Sequence, residues 1–247
     1  MKKFKTGLVL SGGGTRGFAH LGAIKALNEK GIFPDVISGT SAGSIVGVFT
    51  ASGKTPEEIL KIFKKGWFFQ YTKLHLPVDG LLKLDGLKEI IQKRISAKNI
   101  EDLKIPFFVA VSNLNKGKVE YKNKGPLGEY VLASSSIPIL FAPVKINGEL
   151  YADGGLMDNI PIEPIKHDCE QIIVINISPL NPREKIKNLI QIASRTFYMS
   201  VNANVSLINK YATHFIEPDG IDRFDILSRS HAEELFELGY QSTLKSL

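Results

Sequence analysis

The residues of this chain best suited to chemistry sit in three short segments. The first is Gly39-Thr40-Ser41-Ala42-Gly43, a G-x-S-x-G string. A serine hydroxyl can act as a nucleophile when a sharp strand-to-helix turn holds it out at the end of a sheet, and glycines leave room for that turn. Here the short apolar run Asp35-Val36-Ile37-Ser38 precedes the string, and Ala42 to Ala51 follows with helical character. A helix N-terminus just after Ser41 favours negative charge developing nearby. The same letters also fit a plain strand–helix turn, so the string gains weight only from its company.

The second segment, Gly12-Gly13-Gly14-Thr15-Arg16-Gly17, follows the apolar run Gly7 to Leu10 and opens a helical pattern. It supports two readings. As an oxyanion hole, backbone N–H groups at Gly12, Gly13 and Gly14 point at the oxygen of a tetrahedral intermediate. As G-x-G-x-x-G, with glycines at 12, 14 and 17, it matches the dinucleotide fingerprint, which expects an acid at the far end of the second strand. Asp35 stands at the start of that strand instead, and its far end carries Ser41, which favours the oxyanion-hole reading. Arg16 either contacts an anion or holds the loop in shape, the second being preferred.

A serine nucleophile needs a proton acceptor. The five histidines, at 20, 75, 167, 214 and 231, stand in unmarked surroundings. Asp153-Gly154-Gly155 is marked: it ends the strand-like run Glu149-Leu150-Tyr151-Ala152, and the glycines permit close approach. An exposed Asp, with a pKa of about 3.9, is a weak base. Enclosure among apolar groups would raise it and let it take the Ser41 proton directly. A turn Asp before glycine is the plainer account of the same letters. A triad of Ser41, Asp153 and His231 also stays open.

The elements that must position these residues alternate between strand and helix. Strands are expected at 7–10, 35–38, 106–111, 172–177 and 214–216. Helices are expected at 17–30, 42–51, 55–65, 85–95, 186–209 and 230–244. Thr55-Pro56-Glu57-Glu58 is a helix start, with Thr55 as N-cap and Glu58 completing a capping box. Such alternation predicts an α/β fold with a largely parallel central sheet covered on both faces. The 247 residues show no repeat or linker, so one domain over 1–247 is expected.

Bulk properties narrow the partners. With 31 Lys+Arg against 25 Asp+Glu the net charge is +6, suited to solubility or to an anionic membrane surface. The lysines are scattered, which argues against nucleic acid. Cys169 is the single cysteine, so neither a disulfide framework nor a cysteine metal site is expected. The apolar run after the basic start is too short for a signal peptide, and no stretch reaches membrane-span length, so a cytoplasmic, non-spanning protein is expected. Phe63, Trp67, Phe68, Phe69, Tyr71 and Leu74 interleave with Lys61, Lys64, Lys65 and Lys73. That segment suits either a membrane interface or a core with a solvated basic face.

Loop, elbow and acid in this order resemble the patatin-like phospholipase family, whose members carry G-G-G-x-R-G, G-x-S-x-G and then D-G-G or D-G-A. The stretch Ala133-Ser134-Ser135-Ser136-Ile137-Pro138 leading into Phe141-Ala142-Pro143 also looks like a family segment. The resemblance spans roughly residues 5 to 180. It implies a three-layer α/β sandwich, a Ser41–Asp153 dyad without a catalytic histidine, and oxyanion stabilisation around Gly13 and Gly14. It further implies hydrolysis of lipid acyl esters with no metal or cofactor. Acyl transfer from the same serine, a nucleotide-binding module and a regulatory protein on the same fold are the competing functions.

Overall fold

The computed structural model describes residues 2–64, 73–74, 82–138, 140–179, 192, 195–196, 199, 208–226 and 231–247. The chain begins with Phe4–Leu10 (β1), Gly17–Glu29 (α1), Val36–Gly39 (β2), Ala42–Ala51 (α2) and Pro56–Lys64 (α3). Two short strands, Lys73–Leu74 (β3) and Leu82–Lys83 (β4), pair antiparallel before Asp85–Arg94 (α4). Then come Phe107–Asn113 (β5), Lys118–Lys122 (β6), Leu127–Ser134 (α5), Val144–Ile146 (β7) and Glu149–Asp153 (β8). Cys169–Ile175 (β9), His214–Ile216 (β10) and Ala232–Ser246 (α6) complete the described elements.

The main sheet runs β10-β9-β1-β2-β5-β8-β7, with β6 also paired to β5. From β10 to β5 every pairing is parallel; β6, β7 and β8 pair antiparallel. One arrangement on β5 matters most for the site. Val109 pairs with Gly39 and Lys122, and Val111 pairs with Asp153 and Glu120. A strand has two edges, so β6 occupies one of them while β2 and β8 share the other. Running in opposite directions, β2 and β8 meet end to end, with Gly39 and Asp153 two β5 residues apart.

Alternation along β1 divides the core. Leu8 and Leu10 join the cluster built with α1 to α5, whereas Val9 packs on the opposite face with Ile160, Ile162 and Ile165. The sheet is thus the middle of three layers. All ten residues of α2 are buried, so this central helix has no polar face to show in its sequence. Helix α6 closes on α1 at very short range: a Cβ at Gly22 would stand 1.8 Å from the Phe236 carbonyl oxygen, and one at Gly239 2.0 Å from that of Ala19.

Most expected elements are found within two or three residues of their expected ends. The Thr55–Glu58 capping box forms in both directions, at 3.2 and 2.8 Å. Strands β6 and β7 and helix α5 were not expected, because weak alternation and a short span hide them. Phe63 belongs to the core, edge-on to Phe49 at 5.2 Å. Trp67, Phe68, Phe69 and Tyr71, and most of the 186–209 helix, lie outside the described residues. Among the described residues no helix is long and apolar enough to cross a membrane.

Candidate active site

Ser41 stands at the turn between β2 and α2 with φ 52° and ψ −121°, a left-handed conformation rare for a residue with a Cβ. Such a backbone costs roughly 1–3 kcal/mol and persists only where its surroundings enforce it. Here they do. A Cβ at Gly43 would stand 2.1 Å from the Leu10 carbonyl oxygen, so α2 starts hard against the end of β1. The Ser41 N–H donates to Ser134 Oγ at 3.0 Å, and Ser44 Oγ donates to the Ser41 carbonyl at 2.7 Å. Thr40 Oγ1 donates to the Asp158 carbonyl at 3.0 Å. Ser41 itself is only 7% exposed.

Asp153 is fully buried where β8 runs into the end of β2. Its N–H donates to the Ser136 carbonyl at 2.9 Å. Its Oδ1 accepts from the Gly155 N–H at 2.7 Å, while Oδ2 has no partner of full hydrogen-bond geometry among the described residues. Burial pushes the carboxyl from 3.8 up to about 7, and hydrogen bonding from the Ser41 side chain and the Gly155 N–H opposes that rise. The Ser41 hydroxyl is therefore a neighbour of the carboxyl, in a contact looser than a finished hydrogen bond.

The glycine loop lies against the elbow. A Cβ at Gly12 would stand 3.1 Å from Ser41 Cβ. The Gly12 N–H donates to the Asn159 carbonyl at 3.2 Å, so it is already engaged. The Gly13 and Gly14 N–H groups have no hydrogen-bond partner among the described residues. Arg16 is buried and spreads its guanidinium over three carbonyls: Phe224 at 2.9 Å, Asp222 at 3.1 Å and Ile177 at 3.3 Å. This favours the loop-holding reading of Arg16. Asp35 accepts from the Thr6 N–H at 2.8 Å at the opposite end of β2 from the loop, where it cannot serve a nucleotide ribose.

The described histidines are engaged elsewhere. His20 is fully buried, its Nε2 2.8 Å from the Ser11 carbonyl, and burial lowers its pKa to about 4, leaving it neutral under the loop. His231 pairs with Glu234 at 3.1 Å on the surface, and His214 lies 3.3 Å from the Ser246 carbonyl. His167 stacks edge-on to Tyr211 at 5.7 Å.

Three supporting residues carried no assigned role in the sequence reading. Ser134 and Ser136 tie the end of α5 to Ser41 and Asp153 respectively, and three consecutive buried serines after an apolar helix were the available signal. Asp158 accepts from Tyr121 Oη at 2.6 Å and from the Ile160 N–H at 3.2 Å, fixing the segment that holds Thr40.

Over residues 8–166 the sequence matches the family described as patatin-like phospholipase. The chain belongs to that family. Among its patatin-like relatives, lysophospholipase NTE1 of Saccharomyces cerevisiae is 29% identical over 266 residues, covering 94% of this chain and 16% of that protein. Lysophospholipase NTE1 of Candida glabrata is 32% identical over 188 residues, covering 73% of this chain and 11% of that protein. The NTE family protein Rv1063c of Mycobacterium tuberculosis is 32% identical over 163 residues, 65% of this chain and 45% of its own. The chain thus spans less than half the length of each of these relatives. Among solved structures, VipD from Legionella pneumophila aligns with a TM-score of 0.54 at 15% identity, over 98% of this chain and 66% of its own. ExoU from Pseudomonas aeruginosa, in complex with SpcU, aligns at 0.50 and 15%, over 100% and 53%. Both likenesses concern the fold.

Proposed function

We propose that this chain is a serine acyl hydrolase of lipid carboxylic esters, with Ser41 as nucleophile and Asp153 as its general base. The observation that carries the reading is a strained, nearly buried serine beside a fully buried carboxyl whose pKa stands near 7. A carboxyl at that value is divided between base and acid at neutral pH, as a residue must be that takes and later returns one proton.

The reaction follows from these positions. Ionised Asp153 takes the Ser41 proton as Oγ attacks the acyl carbonyl carbon. The carbonyl oxygen gains negative charge and accepts from the N–H groups of Gly13 and Gly14, which have no partner among the described residues, with Gly12 left to fasten the loop. Collapse breaks the ester bond, and the proton on Asp153 passes to the departing alcohol. Water, deprotonated by Asp153, then attacks acyl-Ser41; the acyl–Oγ bond breaks, the fatty acid leaves, and the proton on Asp153 returns to Ser41 Oγ. His20, held neutral beneath Ser11, supports the loop and takes no proton.

The names of the fungal relatives point to lysophospholipid acyl esters as the substrate class, and the family description to phospholipids more broadly. The excess of six positive charges supports contact with an anionic bilayer surface during lipid capture. Replacement of the nucleophile tests the proposal. Ser41→Ala should abolish lysophospholipid and p-nitrophenyl ester hydrolysis, a loss on the order of 10³-fold or more, with the fold intact by circular dichroism. Wild-type turnover by the variant would end the reading.

A further inference from the structure

Asp158 and Asn159 touch all three segments of the proposed site. The Asp158 carbonyl accepts from Thr40 Oγ1 at 3.0 Å, in the turn that carries Ser41. The Asn159 carbonyl accepts from the Gly12 N–H at 3.2 Å, at the head of the glycine loop. The Asp158 N–H donates to the Gly154 carbonyl at 2.9 Å, in the turn that starts at Asp153. Elbow, loop and base are all tied to one dipeptide.

That dipeptide is held in turn by the Asp158 carboxylate, which is half-buried. Its Oδ1 accepts from the Ile160 N–H at 3.2 Å, a local bond, and its Oδ2 from Tyr121 Oη at 2.6 Å. Tyr121 brings in a separate element. It stands on β6 opposite Ala110 of β5, and the neighbours Val109 and Val111 face the core built with α1 to α5. Tyr121 therefore lies on the other face of the sheet, where Ile160 and Ile162 also pack. Burial raises the Asp158 carboxyl, and the bond from Tyr121 opposes that rise and favours the ionised form. A bond to an ionised acceptor is stronger than one between neutral groups.

We infer that Tyr121 is a positioning residue for this site: through the Asp158 carboxylate it fixes two adjacent carbonyls, one gripping the Ser41 turn and one the glycine loop. The inference rests on the Ser41 acyl-hydrolase reading. Tyr121 acts at one remove, from a strand outside the three motifs. The left-handed backbone at Ser41 persists only under restraint. A misplacement of about 1 Å at reacting atoms lowers rates on the order of 10²-fold, so a loosened clamp shows in the rate at each site more than in substrate binding.

Tyr121→Phe removes the hydroxyl and keeps the ring, and Asp158→Ala removes the acceptor from the other side. Both, their double variant and Ser41→Ala are compared with wild type by fluorophosphonate labelling followed to completion, and by kcat and KM on p-nitrophenyl esters. Tyr121→Phe should reach full labelling of the chain about 10-fold more slowly or worse, with kcat falling in step and KM within about twofold. Full labelling shows that the slow rate belongs to every site and not to an unfolded fraction. The double variant should be no slower than Asp158→Ala alone, because the hydroxyl acts only through the carboxylate. A folded Tyr121→Phe that labels and turns over at the wild-type rate overturns the inference, even if its Tm falls. So do additive losses in the double variant, or a loss of activity matched by a loss of labelled chains. Failure of Tyr121→Phe to fold also overturns it, since the hydroxyl would then be a structural member. Should Ser41→Ala take label or remain active, the hydrolase reading fails and takes this inference with it. An inert Ser41→Ala beside a Tyr121→Phe of wild-type rate refutes the positioning role alone.

Discussion

Replacing Asp153 with Asn should make the protein inactive and, above neutral pH, more stable. In the folded state burial lifts this carboxyl from 3.8 to about 7. A raised acid pKa means that folding favours the protonated form, so its stabilising effect is complete below pH 3.8. It is lost as pH rises from 3.8 to about 7, because the unfolded chain has released the proton that the folded chain still holds. At about 1.4 kcal/mol for each pH unit, the whole interval amounts to roughly 4 kcal/mol against the folded wild type at pH 8. The amide introduced by Asp153→Asn carries no charge, and its oxygen can still accept from the Gly155 N–H. Urea denaturation of both proteins at steps from pH 5 to 8 measures the difference directly. The gap should widen in favour of Asp153→Asn by about 2–3 kcal/mol up to pH 7 and then level off. Titration of His20, its pKa lowered to about 4, is common to both proteins and cancels. A gap that stays constant across this range, or one that widens in favour of the wild type, would refute the buried-carboxyl argument.

Further outcomes follow from the same geometry. The kcat/KM of the wild type should rise about tenfold per pH unit below a midpoint near 7 and plateau above it, since the base must be ionised; a midpoint near 4 would contradict the environment described for Asp153. Arg16→Lys, which cannot reproduce the fork over Phe224, Asp222 and Ile177, should lower stability by about 1–3 kcal/mol in chemical denaturation and reduce kcat with it. A rise confined to KM at unchanged stability would instead make Arg16 a substrate contact. His231→Ala should retain most activity, because His231 is an exposed residue paired with Glu234; an inactive, folded variant would restore the triad.

What could be read beforehand was whatever depends on local backbone chemistry. The loop and the elbow announce themselves because close packing against Leu10 and Ile226 admits glycine and nothing larger. Asp153 could be singled out by its Gly-Gly flank, but its nearness to Ser41 could not. That depends on β8 running antiparallel along the edge of β5 that β2 vacates, a non-local pairing with no local sequence signature. The same holds for Ser134 and Ser136, whose roles exist only once α5 ends beside both residues, and for Tyr121, whose hold on Asp158 is a property of the folded site. Division of the three glycines was equally hidden. Gly12 donates its N–H to the Asn159 carbonyl, so the proposed mechanism draws its loop donors from Gly13 and Gly14.

The proposed chemistry requires an acyl-enzyme at Ser41 formed with Asp153 as base. Rapid acid quench of wild-type protein turning over a lysophospholipid or p-nitrophenyl ester, followed by peptide mass spectrometry, tests this most directly. The acyl group should be found on the peptide containing Ser41, and Asp153→Asn should form that adduct at least on the order of 10³-fold more slowly. An acyl group on any other residue, or equal rates of formation in the two proteins, would contradict this mechanism.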